Sequence, residues 1–123
     1  MAKARTSPTQ RSLKELRRLG YQAQIVERWN QYAKVRQDLF GGIDVLAVRH
    51  GECLGVQTTS GSHHSARVLK LRAEPKLRAW VDAGCLLEVW SWGLKGQRGK
   101  RKLYELRRER IEYFTEATKE EPF

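Results

Sequence analysis

Acidic residues are scarce beside basic ones in this chain: 14 Asp and Glu stand against 24 Lys and Arg, a net charge of +10. Folding a small domain does not require that excess. Its usual physical reason is a polyanionic partner, because a positive surface gains affinity by releasing counterions from phosphates. A surface tuned for solubility, or for association with ribosomes, is the alternative. Long apolar runs are missing too. Nothing approaches the roughly 18 residues of a membrane span, and the opening MAKARTSPTQ lacks an apolar core of signal-peptide length. A soluble, cytoplasmic protein without a membrane partner is expected. Cysteine is limited to Cys53 and Cys85, both inside apolar strand-like runs. The absence of a CxxC pair excludes a zinc knuckle, and buried free thiols suit a reducing compartment. Gly41-Gly42 is a lone pair with no Lys-Ser or Lys-Thr after it, so a nucleotide-binding phosphate loop is excluded. No nucleophile elbow frames a Ser-His-acid triad.

What is present fits one domain over residues 1–123, with 1–7 and 115–123 as flexible ends. Apolar residues make up 40% of the chain, and three of its four Trp lie in the second half, which argues against intrinsic disorder. Ser7-Pro8 reads as an N-cap followed by Pro at the first helical position; Leu13, Leu16 and Leu19 recur at helical spacing, and Gly20 closes the helix. YQAQIVER alternates as a strand. WNQYAKVRQDLFGG reads as a loop or a short irregular strand. IDVLAVRH and CLGVQTT form two strands around a tight HGE turn. Ser60-Gly61-Ser62 leads into a helix through HHSARVLKLRA, with PKLRAWVDAG as its continuation to Gly84. CLLEVWSW is a strand, GLKGQRGKRK a basic hairpin tip and KLYELRRERI the returning strand. The expected fold is therefore α/β, a mixed sheet of about five strands in the order α-β-β-β-α-β-β.

Chemistry concentrates in DLFGGIDVLAVRHGECLGVQTTSGSHH. Asp44 opens one strand, and Gln57 and Thr59 end its antiparallel neighbour on one face. Glu15, at the border of the apolar stripe of the first helix, can reach the same spot. Two carboxylates and an amide oxygen form a hard-oxygen site suited to Mg²⁺ or Mn²⁺. The plain alternative is a strand entering and leaving solvent. Asp38 reads more naturally as a turn cap than as a ligand. His63 and His64 are adjacent on a helix and diverge, so a solvated or phosphate-touching pair fits them better than shared metal ligation. His63, Arg67 and Lys70 share one polar helix face. Basic side chains for nucleic acid come from Arg17, Arg18, His63, Arg67, Lys95, Arg98, Lys100 and Arg101. Trp29, Tyr32, Trp90 and Trp92 could stack on unpaired bases, although core packing suits Trp90 and Trp92 better.

A helix bearing Glu, a strand, a strand opening with Asp and a hairpin ending in QTT, followed by helix and strand, resembles the PD-(D/E)xK nuclease superfamily. RQDLFGGIDVLAV is similar to that family's Gly-rich approach to its metal-binding Asp. The likeness covers roughly residues 8–92, as an order of elements, and is closest to the branch of small Holliday-junction resolvases and stand-alone VRR-type nucleases. It implies a small restriction-endonuclease-like fold and a metal-dependent DNA endonuclease, with branched or flapped DNA as substrate. It also implies a homodimer, and suits a phage or mobile element. Glu15, Asp44 and Gln57 would hold Mg²⁺ or Mn²⁺, and Thr59 falls where the family carries lysine. Gln57 and Thr59 both depart from the motif. Thr59 would orient water, and Lys70 or Arg67 would supply the missing cation. Two alternatives stand beside this: a nuclease-fold protein that binds nucleic acid without cutting, and a basic structural RNA-binding protein.

Overall fold

Helix and strand signals in the sequence resolve into two layers around one sheet. The computed structural model describes residues 6–96 and 99–113. Helix α1 spans Pro8–Arg18; Ser7 Oγ caps it by accepting from the Gln10 N–H at 3.1 Å, and Gly20, at φ +94°, ends it. Strands β1 (Gln22–Ile25), β4 (Val45–Arg49), β5 (Glu52–Ser60), β6 (Leu86–Lys95) and β7 (Leu103–Arg110) make one sheet in the spatial order β1-β4-β5-β6-β7. Among the described strands of this sheet, only the β5–β6 pairing is parallel. A parallel pair needs a crossover, and here a 3₁₀ turn at Gly61–His63 and helices α2 (His64–Arg72) and α3 (Pro75–Asp82) provide it.

The fold is the expected α/β type with a five-stranded mixed sheet, differing in two details. The 64–84 stretch is two helices, since Glu74, ahead of Pro75, is forced into extended backbone (φ −93°, ψ 112°) and breaks the continuation. The polar segment after β1 forms a separate hairpin, β2 (Arg28–Asn30) with β3 (Val35–Gln37), whose turn Asn30 Oδ1 closes on the N–H groups of Tyr32 and Ala33. Polar, aromatic strands without an apolar face give no alternating signal. Arg98, residues 1–5 and residues 115–123 lie outside the described residues, whereas Ser7, expected in a flexible end, is the α1 cap. Among the described residues, no helix is long and apolar enough to cross a membrane.

Alternation along the central strands divides the core. Leu54, Val56 and Trp90 pack with Leu13 and Leu16 of α1, while Leu87 and Val89 pack with Val68, Leu71 and Leu77 of α2 and α3. Gly42 lets the 39–43 loop lie against that second layer: a Cβ there would collide with Leu71 Cδ2 and sit 2.6 Å from Leu77 Cδ1. Beneath α1, the buried Glu88 carboxylate accepts from Trp90 Nε1 (2.9 Å), Arg108 Nε (2.9 Å) and Arg110 Nη2 (2.8 Å). Burial pushes Glu88 upward, but the Arg108, Trp90 and Arg110 hydrogen bonds together hold it below the usual range. Glu88→Ala strands the indole N–H of a fully buried Trp90 and should lower stability by about 2–4 kcal/mol. Urea denaturation with an unchanged slope checks this; a loss below about 0.5 kcal/mol would mean that the network contributes little.

Candidate metal centre

The β4–β5 register, with Val45 opposite Val56 and the Asp44 N–H on Val56 O at 2.9 Å, sets Asp44 beside the Gln57–Thr58 end of β5. Both Asp44 and Gln57 are 97% buried, at 3% exposure each. Three donors converge on Asp44 Oδ2: Gln57 Nε2 at 2.5 Å, Thr58 N at 2.9 Å and Thr58 Oγ1 at 3.3 Å. Thr58 Oγ1 also meets Thr9 Oγ1 of the first turn of α1 at 2.7 Å, tying the helix start to the site. Gln57 spends its amide N–H on Asp44, and its carbonyl oxygen Oε1 is buried with no hydrogen-bond partner among the described residues. An orphaned buried acceptor calls for a donor or a cation.

Two further carboxylates join Asp44. Oxygens of Glu27, Asp38 and Asp44 lie within 4.8 Å of one another. Glu27 follows β1, its chain fixed by the Val26 and Glu27 N–H groups on Asp44 O at 2.8 and 3.3 Å; Asp38 follows β3. The β2–β3 hairpin is thus bracketed by the two acids, and its closure carries both to Asp44. Lys70 Nζ of α2 stands 3.7 Å from Asp38 Oδ2, and Arg36 Nη1 stands 3.3 Å from Glu27 Oε1. A cleft of about 610 Å³ opens beside the acids, with Asp38 in its lining among the basic side chains of Arg28, Arg36, Lys70 and Lys76.

Three carboxylates at this separation repel one another when ionised. Burial pushes Asp44 up to about 8; the Asp38 carboxyl bonded to it adds to the rise, as do the charges of Asp38 and Glu27, and the Thr58 N–H offsets only part. The donor set fits a hard divalent cation: three carboxylates plus one free amide carbonyl, all oxygen.

Several expected site residues fall elsewhere. Glu15 is held by Arg18 through two bonds of 2.8 and 2.7 Å, and the Arg18 hydrogen bond keeps its carboxyl below the usual range. It lies outside the acidic group because α1 meets the site at Thr9, and six helical residues cover about 9 Å. Thr59 is buried on the Gln57 side of β5, so the hydroxyl on Asp44 comes from Thr58 instead. Of the two helix cations, Lys70 pairs with the acids and Arg67 does not. Asp38, read as a cap, contributes its carboxylate to the cluster. His63 is exposed and bonded to Ser60 Oγ at 2.8 Å. His64 is buried in a structural relay, Nδ1 to Ser91 Oγ at 2.6 Å and Nε2 to Glu109 Oε1 at 2.9 Å. Arg17 Nη2 donates to Ala23 O at 3.2 Å, while Lys95, Lys100 and Arg101 are exposed around the β6–β7 hairpin. Trp90 is core, Trp92 donates to Ser12 Oγ at 2.9 Å, and Trp29 and Tyr32 are exposed. Glu27 was the residue the strand pattern hid; its signal is a pair of acids flanking a polar insert between two strands. Comparison with protein-family models, curated proteins and solved structures gives no match for the chain.

The raised Asp44 carries a linkage with a definite sign. Its protonated form favours the folded state, so its stabilisation is complete below its ordinary value of 3.8 and is lost as pH rises through about 8. In metal-free buffer the melting temperature of the wild type should fall between pH 5 and pH 9 relative to Asp44→Asn, which cannot ionise. Divalent cation should remove the difference by replacing the proton. Parallel melting curves for the two proteins across that range would contradict the assignment.

Proposed function

We propose that the chain is a metal-dependent phosphodiester hydrolase acting on DNA, of the PD-(D/E)xK type that its order of elements resembles. The observation that carries this reading is the partnerless, buried Gln57 Oε1 beside the Glu27–Asp38–Asp44 carboxylates. Asp44 is met by amide and hydroxyl donors and gathers two like charges, where the structural acid Glu88 is met by two arginines. Glu27, Asp38, Asp44 and Gln57 would hold Mg²⁺ or Mn²⁺, in place of the Glu15–Asp44–Gln57 set expected from the family pattern. Bound there, the ion would neutralise phosphodiester charge and lower the pKa of a water molecule.

The chain's own residues do the rest. Gln57 and Thr58 fix the Asp44 carboxylate from two sides, so it meets its ligand without reorganising. Lys70 sets an ammonium beside Asp38, where it can offset charge on a phosphoryl oxygen, the task that Thr59 cannot perform. Arg28, Arg36 and Lys76 along the cleft suit the backbone of a strand entering it. The second reading, a binder that has lost its chemistry, draws support from the same β5 end: neither Gln57 nor Thr59 carries charge.

Cleavage of supercoiled, flapped and four-way-junction DNA with Mg²⁺, Mn²⁺ or EDTA tests the proposal. Wild type should cut with either metal and not with EDTA. Asp44→Asn should reduce the rate by about 10²-fold or more, with DNA affinity in EDTA level or higher. Lys70→Ala should slow cutting by at least about tenfold, and Glu15→Gln should leave it within about threefold. A wild type inert with both metals, and an Asp44→Asn variant that binds identically, would leave the binder.

Binding itself should weaken with salt by about 0.9 in the log–log slope for each phosphate contact. Arg28→Ala combined with Lys76→Ala should flatten that slope by about 1.8 if each meets one phosphate. An unchanged slope would move the strand path to the β6–β7 hairpin.

A further inference from the structure

An apolar cleft of about 700 Å³ adjoins the acidic cluster, lined by Phe40, Ala79, Trp80 and Ala83, with Asp38, Gly41 and Lys76 at its edge. It shares Asp38, Phe40, Gly41 and Lys76 with the basic cleft, so the two run together. Phe40 is 44% exposed, and its ring stands 6.0 Å from that of Trp80, centroid to centroid, tilted by 49°. Trp80 is half-buried and fixed by its indole N–H on Leu86 O at 2.7 Å. The Phe40 backbone is left-handed, at φ +52°, and Gly41 follows at φ +79°. Phenylalanine is a poor residue for the first corner of such a turn, where Asn, Asp or Gly is usual. A less strained residue would close the turn equally well, and would not present a ring at the mouth of the cleft.

We propose that this cleft receives one unpaired nucleobase of a DNA strand, stacked against Phe40 and Trp80. This deepens the hydrolase reading and rests on it for the strand's path. Charge complementarity selects the occupant. A base enters the apolar side while its phosphate lies against Lys76 and Lys70, at the rim shared with the acids. An apolar peptide or a greasy small molecule has no use for that cationic rim. A base within intact duplex cannot reach the exposed ring faces, so the protein should prefer single-stranded or flapped DNA over blunt duplex.

The test uses the full chain in EDTA, so that no strand is cut, and fluorescence anisotropy of a labelled single strand and of its blunt duplex. Phe40→Gly keeps the left-handed turn and removes the ring. It should weaken single-strand binding by about tenfold, the size of one lost base stack, and leave duplex binding unchanged. A single abasic site walked along the strand tests the wild-type protein with no substitution at all. One position should reproduce the tenfold loss, and Phe40→Gly should add nothing to it. 2-Aminopurine at that position should be quenched on binding. Equal loss on single strand and duplex, or no sensitive position in the abasic walk, would overturn the proposal. So would the effect appearing with an RNA strand and not with DNA. If wild type cuts with Mg²⁺ yet shows no base effect, the base site fails and the hydrolase stands. If the base effect appears and no metal supports cutting, the hydrolase reading fails and the base site stands.

Discussion

Burying Asp44 at the end of two paired strands is the constraint on which the other features depend. A carboxylate moved out of water loses solvation worth several kcal/mol unless bonds or a counter-charge replace it. Here Gln57 and Thr58 supply three donors to one oxygen, and among the described residues no cationic side chain touches Asp44 itself. Glu27 and Asp38 then add like charge where an opposite charge would help. Burial first, and then the neighbouring Asp38 and Glu27, push Asp44 up to about 8, so the proton is held more tightly than on a free carboxylate. A proton and a divalent cation compete for the same oxygens in a group of this kind.

Glu88 shows what a buried carboxylate looks like when its task is structural. It lies on the opposite face of the sheet, under α1, and takes two arginines and an indole N–H. Its shift is downward where that of Asp44 is upward, although both are almost wholly buried. Desolvation acts on both; the sign is decided by whether cations have been provided. His64 belongs with Glu88. Its chain from Ser91 to Glu109 has the residue types of a nucleophilic relay, but the serine hydroxyl belongs to a residue 1% exposed on an inner strand. It ties α2 to β6 and β7.

Legibility in the sequence followed from how local each signal was. The α1 cap at Ser7-Pro8, the β4–β5 hairpin and the Asp44–Gln57 contact depend on spacings of a few residues and on one turn, and all can be read directly. The break between α2 and α3 was also written, in Glu74-Pro75, but apolar residues continue across it and suggest one helix. Glu27 and Asp38 were not readable as partners, since ten residues separate them and no pattern announces the β2–β3 hairpin. Glu15 misled for a related reason. A helical wheel gives the angle of a side chain, while its distance from the site depends on which turn of α1 touches β5, and that turn contains Thr9.

The position of the cation is a question of solvation as much as of reach. Residue 59 is buried on the side of β5 that α2 covers. A lysine there would carry its ammonium out from under the helix along a crowded path beside Gln57. Lys70 approaches from the outer end of α2 and keeps 44% of its side chain exposed while its Nζ stands 3.7 Å from Asp38. Its charge therefore stays largely hydrated, and its folded-state desolvation cost is small. Residue 59 is a compact threonine where α2 lies over β5. That close packing holds Leu71 against Gly42, and with it the loop that carries Asp38 and Phe40 to the cleft.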